Sequence, residues 1–496
     1  MNKKGKFPLR SAAALLAALL TVTVALGGCG FIEITYDDHG SDTGTGEESG
    51  TAATDAPWTV PAPTTTAIPP DKVSYPDRRA EAEAKLEALP DVELSVSDLI
   101  IANATSTAAL IEPEEGDLLN AARSLRTEAA CERYGISMTV LSVEESAMLD
   151  EFTAAEKAGT YYADFAVIPA YAAALFYNSG IVLNLGQLPV FEAPEGAGTV
   201  GMSCYFYCGS AASDPDSLWA LYFNRTLAGA EMSESLYRAA LSETGLAWED
   251  VLTAAASVTL PEGAYAAVSG TRSSTTFAAD AVCAGADVEF VSNGAGTVPT
   301  VNFDEQKLAE AGDVISRLAA LLYLPAGEEA ADPVAVFADG VALMRLGPLS
   351  DMRTFYDKKA EWGLLPLPHT GSVSGNVTLG AEDRPVMFFS GNGRPELCGA
   401  AIAALDAASG SWLGDAYAAA AFENYLRDND SYLTLHAILD GSVKFDFSYL
   451  YSGVASRLAG ATYNAARGQL TGGASLSEAV SRARVAANRE LARLFG

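Results

Sequence analysis

The 496-residue chain carries 63 Asp+Glu against 31 Lys+Arg, a formal net charge of −32, with 49% hydrophobic residues. One hydrophobic core rarely serves such a length, so two or more domains are expected. So acidic a surface repels phosphate backbones and anionic headgroups, which excludes nucleic acid as a partner and points to a neutral or cationic ligand. His39, His369 and His436 lie far apart, and Cys131, Cys204, Cys208, Cys283 and Cys398 match no zinc spacing, so neither a metal nor a cofactor is expected. Cys204 and Cys208 bracket a Cys-Tyr-Phe-Tyr-Cys stretch. Four steps of a straight strand span about 13 Å, so a disulfide there needs a tight turn, and both states stay open.

The chain opens with Lys3, Lys4, Lys6 and Arg10, continues through an apolar stretch from Ala12 to Leu26, and reaches Gly27-Gly28-Cys29, the layout of a secretory signal. The small-small-Cys ending resembles a bacterial lipobox. The resemblance implies a signal peptide over 1–28, cleavage before Cys29, and acylation of that cysteine. Acyl chains hold a protein on a bilayer at roughly 0.8 kcal/mol per buried CH₂. A lipid-anchored protein on the extracytoplasmic face of the cell membrane is therefore expected, the other reading being an uncleaved anchor helix or an ordinary signal before a chance cysteine.

Residues 29–75, dominated by Thr, Gly, Asp, Glu, Ala and Pro, offer too few large apolar side chains to offset the entropy of ordering, and are expected to be a disordered tether. A short helix over 79–89 follows. Strand 99–102, helix 117–134, strand 136–143, helix 144–158 and strand 164–168 then alternate, which predicts an α/β layer with a mainly parallel sheet. A second α/β region starts at Leu218-Trp-Ala-Leu-Tyr-Phe223. It includes helix 248–257, an Ala-rich helix around Ala278, a helix over 304–322 and a strand over 341–345. Strand 385–389, helices 395–408 and 412–427, and a closing helix opened by Ser475-x-x-Glu478 complete the pattern.

Four segments resemble the bacterial extracellular solute-binding proteins of ABC importers, particularly the maltodextrin-binding-like branch. They are Lys157-Ala-Gly-Thr-Tyr-Tyr-Ala-Asp164; Leu221-Tyr-Phe-Asn-Arg225 with Ala247-Trp-Glu-Asp250; Phe337-Ala-Asp-Gly-Val-Ala-Leu-Met344 leading to Trp362-Gly-Leu-Leu-Pro-Leu-Pro368; and the helical region from Ala400 to Phe447. The resemblance implies a two-lobed, periplasmic-binding-protein-like (type II) α/β fold with an interlobe ligand cleft. Lobe 1 would hold 94–212 plus 370–427; lobe 2 would hold 218–367 plus 428–496 with the C-terminal helices. Physical roles suffice for several motif residues: Trp248 packs a helix, Asp250 suits its positive first turn, Gly340 permits a turn, and Ala247 leaves the helix start without a side-chain cap.

The implied function is a non-enzymatic one, capture of a small solute, carbohydrate foremost, for delivery to ABC permease subunits. Candidate ligand residues are loop positions after strands: Asn103 with Thr105 and Ser106, Tyr171, Asp214 and Asp216 at the first crossover, Arg272, Ser273 and Ser274, and Ser350 with Gly347 and Pro348. Asp214 and Asp216 also suit a turn around Pro215. Sugar rings need aromatic faces, for which Tyr161, Tyr162, Tyr205, Tyr207, Trp219 and Tyr356 are available. Ser274 and Leu349 fall near positions where maltodextrin-type relatives carry stacking aromatics, a departure from the pattern. A sensor or scaffold lipoprotein uncoupled from import is the main alternative. A surface hydrolase is the lesser one, since no Gly-x-Ser-x-Gly, His-Glu-x-x-His or phosphate-loop motif occurs.

Overall fold

The computed structural model describes residues 75–496 apart from 112–117, 190–198, 201–202, 271–276, 293–298, 323–331, 381–384, 462–475 and a few shorter stretches. The expected signal, Cys29, the tether up to residue 74 and the Ser475 cap lie outside the described residues.

The elements run α1 (Tyr75–Glu87), β1 (Asp98–Ala104), α2 (Leu118–Tyr134), β2 (Ser137–Val143), α3 (Glu145–Ala158), β3 (Phe165–Pro169), α4 (Ala173–Ser179), β4 (Thr199–Val200), β5 (Ser203–Cys204) and β6 (Phe206–Tyr207). They continue with β7 (Trp219–Asn224), α5 (Arg225–Ala240), α6 (Trp248–Ser257), β8 (Tyr265–Ser269), α7 (Phe277–Gly285), β9 (Val291–Ser292), β10 (Thr300–Val301), α8 (Glu305–Ala319), α9 (Pro333–Ala338) and β11 (Ala342–Pro348). Last come α10 (Met352–Phe355), β12 (Trp362–Leu365), β13 (Val377–Leu379), β14 (Pro385–Phe389), α11 (Pro395–Asn424), α12 (Asn429–Leu439), β15 (Ser442–Lys444) and α13 (Leu476–Phe495).

Two sheets form the framework. The first has the order β2-β1-β3-β14-β6, with β1 parallel to β2 and β3 and β14 antiparallel to β3 and β6. The second has the order β12-β7-β11-β8, in which β11 and β8 are parallel while β7 runs antiparallel to β11 and β12. The alternation of helix and strand predicted mainly parallel sheets, yet both are mixed. Parallel neighbours need a crossover of a dozen residues or more, and in each sheet one strand runs against all the others: β14 in the first and β7 in the second.

Period-2 side-chain alternation divides the cores. On β7, Trp219, Leu221 and Phe223 join one cluster, while Ala220 and Tyr222 join another. The first of these clusters continues without a break from the Ala102, Ala166 and Phe388 face of the first sheet to the Leu221 and Met344 face of the second, through Tyr449–Tyr451, Val454, Leu458, Val480, Ala487 and Leu491 near the C-terminus. On α13, Val480, Ala487 and Leu491 fall at steps of seven and four and form its buried stripe.

Helix α11 breaks at Gly410 (φ 32°, ψ −151°), a left-handed backbone that disfavours a side chain. Its first half packs with Phe165 and Phe389 of the first sheet, and its second half, from Trp412, packs with Tyr222 and Trp362 of the second. The stretch assigned from sequence to lobe 1 therefore divides at Gly410, short of Arg427. Among the described residues no single helix is long and apolar enough to cross a membrane.

Candidate ligand site

Strands β1, β2 and β3 point the same way, so Ala104, Val143 and Pro169 end at one edge of the first sheet. In open α/β sheets that edge is where loops gather polar groups over a rigid scaffold. Asn103 is buried there, its amide donating to the Ala104 carbonyl (2.9 Å) and to Thr107 Oγ1 (3.2 Å). Exposed Ser106, in the loop after β1, donates to Glu145 Oε2 (2.7 Å), and Tyr171, in the turn after β3, donates to the same oxygen (2.5 Å).

Glu145 is thus the meeting point of three strand ends. It occupies the first turn of α3, where the exposed N–H groups of the helix favour a negative charge. Its Oε2 takes both hydroxyl donors, while Oε1 takes no bond from any described residue. Sequence reasoning singles out Asn103, Ser106 and Tyr171 from their places after strands and does not single out Glu145. The one signal was its position immediately after Val143-Glu144, where a strand hands over to a helix.

On the second sheet, β8 and β11 end together at Ser269 and Pro348. Arg345, almost wholly buried, reaches Asp351 through Nε (2.8 Å) and Nη2 (2.6 Å), both to Oδ2, and donates through Nη1 to the Gly270 carbonyl (3.2 Å). Burial pushes the Asp351 carboxyl above its ordinary range despite the pull of Arg345. Ser350 stands half-buried in the turn between them. Ser269 Oγ is buried without a hydrogen-bond partner among the described residues, at the end of β8. Arg272, Ser273 and Ser274 lie outside the described residues.

Both edges face the crossovers. Strand β6 leaves the first sheet at the edge where β3 ends, and β7 enters the second opposite Pro348. Between them lie Asp214 and Asp216, whose carboxylates are taken up by the protein itself. Asp214 caps the turn by accepting the Asp216 N–H (3.2 Å), as its place before Pro215 requires, and pairs with Arg123 (3.3 Å). Asp216 accepts from Arg353 Nη2 (2.6 Å) and from Tyr417 Oη (2.8 Å).

The aromatic candidates are mostly accounted for by packing. Tyr207 and Trp219 are core residues. Tyr162 packs edge-on to Phe152, and Tyr205 to Tyr177, at 5.0 Å each. Tyr161 lies beneath the Arg394 guanidinium at the opposite end of β3, where Arg394 also holds buried Asp164. Tyr356 is exposed but is covered by Arg427 (5.3 Å). The five cysteines among the described residues are thiols; burial pushes that of Cys204 up to about 12, and its Sγ donates to the Phe206 carbonyl (3.4 Å).

The cyclic alpha-maltosyl-1,6-maltose binding protein from Arthrobacter globiformis is similar in structure over 81% of this chain and 99% of its own, with a TM-score of 0.51 and 16% identity. The chain has the two-lobed solute-binding-protein fold. A cyclo/maltodextrin-binding protein complexed with maltotetraose gives a TM-score of 0.49 at 12% identity over 81% of this chain and 98% of that one. The maltotriose binding protein of Thermus thermophilus gives 0.42 at 13% over 80% and 100%. No family model matches the sequence, and no curated protein does. The strand ends of the first sheet thus carry Asn103, Ser106, Glu145 and Tyr171, and those of the second carry Ser269 and Ser350.

Proposed function

We propose that the protein is a lipid-anchored extracytoplasmic receptor that captures a small neutral or cationic solute, carbohydrate first among the candidates, and passes it to an ABC permease without chemical change. The observation that carries this reading is Glu145: a carboxylate at the convergence of three strand ends, oriented by Ser106 and Tyr171 through one oxygen, with the other oxygen left to accept from a ligand. A hydroxyl donating to a carboxylate is worth about 1.5–3 kcal/mol, whereas an anionic ligand would meet the same charge as repulsion, in a chain already at −32. The named cargoes of the similar structures, cyclic maltosyl-maltose and maltodextrins, are all hydroxyl-rich and uncharged. The lipobox-like ending at Cys29 and the Thr-, Pro- and Gly-rich stretch after it support an anchor and a tether.

The test is a melting-temperature screen of the unlipidated Cys29→Ala protein against sugars, cyclic and linear oligosaccharides, polyols, polyamines and peptides. A cognate solute at a hundred times its Kd stabilises by about 2.7 kcal/mol, a shift of several degrees. Glu145→Ala should weaken the response of that solute about tenfold or more in Kd, read against the variant's own ligand-free melting point. A flat response across the whole panel at millimolar solute would overturn the proposal.

A further inference from the structure

Three deeply buried carboxylates of this chain have an arginine of the chain as partner: Asp164 has Arg394, Asp351 has Arg345 and Asp428 has Arg225. A charge taken out of water without such a partner is costly. Glu145 is treated differently. Half-buried at the strand ends of the first sheet, it is held by the hydroxyls of Ser106 (2.7 Å) and Tyr171 (2.5 Å), and no cation among the described residues pairs with it. The segments that build this edge, 103–107, 143–149 and 169–175, contain no Lys, Arg or His. Exposed Glu144 adds a second negative charge beside the first.

The hydrogens at this edge are already committed. Ser106 and Tyr171 each give their one hydroxyl proton to Glu145, and the Asn103 amide gives its two to the Ala104 carbonyl and to Thr107 Oγ1. Thr107 gives its own to the Ala104 carbonyl (3.0 Å). Of the side-chain donors in the three segments, only the hydroxyls of Thr105 and Ser146 are unspent among the described residues. What the edge still offers is acceptors: Glu145 Oε1 and the Asn103 amide oxygen, neither of which accepts from a described residue. A sugar hydroxyl brings acceptor lone pairs as well as a donor, whereas a protonated amine brings donors alone and also the missing countercharge. Neutral sugars gain much of their hold from aromatic faces, and Tyr162, Tyr205, Tyr161 and Tyr356 are engaged by Phe152, Tyr177, Arg394 and Arg427.

We propose that the group received by Glu145 is a protonated amine, so that the solute is an amine-bearing one, an amino sugar before a polyamine. This rests on the reading of this edge as the ligand site. The ammonium donates to Glu145 Oε1 and the Asn103 amide oxygen, and Ser106 and Tyr171 hold the carboxylate still while it does so.

Isothermal titration of the unlipidated Cys29→Ala chain tests this with matched probes: glucosamine dimers and trimers, their N-acetylated forms, glucose dimers and trimers of the same linkage, and spermidine. The free-amine sugars should bind about a hundredfold more tightly than the acetylated and hydroxyl forms. Their affinity should fall as pH rises through the amine's own pKa. Spermidine binding more tightly than the glucosamine oligomers would make the amine a polyamine's and overturn the amino sugar. Glu145→Gln keeps the size of the side chain and removes its charge. It should erase the preference for the amine while leaving any neutral-sugar binding within about threefold. Ser106→Ala keeps the charge and should retain most of the preference. A cognate solute without an amine, or acetylated sugars that bind as well as the free amines, would overturn this inference and leave the receptor reading standing. A preference for the amine that survives Glu145→Gln would overturn the assignment to this carboxylate. No binding by any of these probes or by the wider panel of sugars, polyols, polyamines and peptides would overturn the receptor reading itself, and this inference with it.

Discussion

At the scale of single residues, Asp287 shows how an unfavourable backbone is retained for its charge. It is the one non-glycine with positive φ (55°) among the described residues, a conformation that Asp and Asn tolerate better than most. Its carboxylate receives Lys307 Nζ (2.7 Å) from α8 and Lys444 from β15, so it ties the turn after α7 to a strand near the C-terminus. Burial alone would raise its carboxyl, but the hydrogen bonds from the two ammonium groups outweigh it and hold the group below the ordinary carboxylate range. A folded value below the unfolded one contributes stability above the unfolded value, and that stability is lost as pH falls through the folded one. Asp287→Asn keeps a residue suited to φ > 0 and removes only the charge. It should cost about 1 kcal/mol at pH 7, the scale of partly exposed pairs, and the difference from wild type in urea denaturation should close as pH drops below about 4.

At the scale of elements, α5 depends on one side chain. Asn224, the last residue of β7, accepts the N–H groups of Thr226 (3.0 Å) and Leu227 (3.2 Å) and donates to the Gly340 carbonyl (3.1 Å). Gly340 itself turns the chain from α9 into β11 at φ 79°. Asn224→Ala removes a helix cap worth about 1 kcal/mol and strands a carbonyl at similar cost, so a loss of about 2 kcal/mol in unfolding free energy is expected by chemical denaturation. Helix α6 shows the milder case foreseen from Ala247: that residue has no capping oxygen, and Asp250 reaches back to the Ala247 N–H (3.2 Å) instead. Strand 385–389 and helix 248–257 were legible to the residue because hydrophobic period and punctuation agree there. Helix α12 was not, since its role rests on Asp428, which pairs with Arg225 some two hundred residues earlier. For the same reason the Asp214 and Asp216 carboxylates looked available in sequence: Arg123, Arg353 and Tyr417 are brought to them only by the fold. Glu145 was hidden in the opposite way, as one acid among many until the parallel strands placed Ser106 and Tyr171 against it.

At the scale of the whole molecule, the balance of charge bears on how the proposed receptor would be kept at a membrane. With an excess of acidic residues the chain gains nothing from anionic headgroups, and within a Debye length it is repelled by them. Retention then has to come from apolar insertion, which the acylation proposed at Cys29 would supply through two or three chains, at roughly 0.8 kcal/mol per buried CH₂. A stretch poor in large apolar residues between that cysteine and α1 would let the two lobes sample solute while keeping them at high local concentration near a permease. Cys29→Ala should therefore move the protein from the membrane fraction to the medium, read by fractionation and immunoblot. The solute-induced melting shift should be unaffected, because Asn103, Glu145 and Tyr171 are positioned by strands remote in sequence from the anchor. Retention of the variant at the membrane would place the anchor elsewhere, and loss of solute binding together with release would show that anchor and receptor are not independent parts.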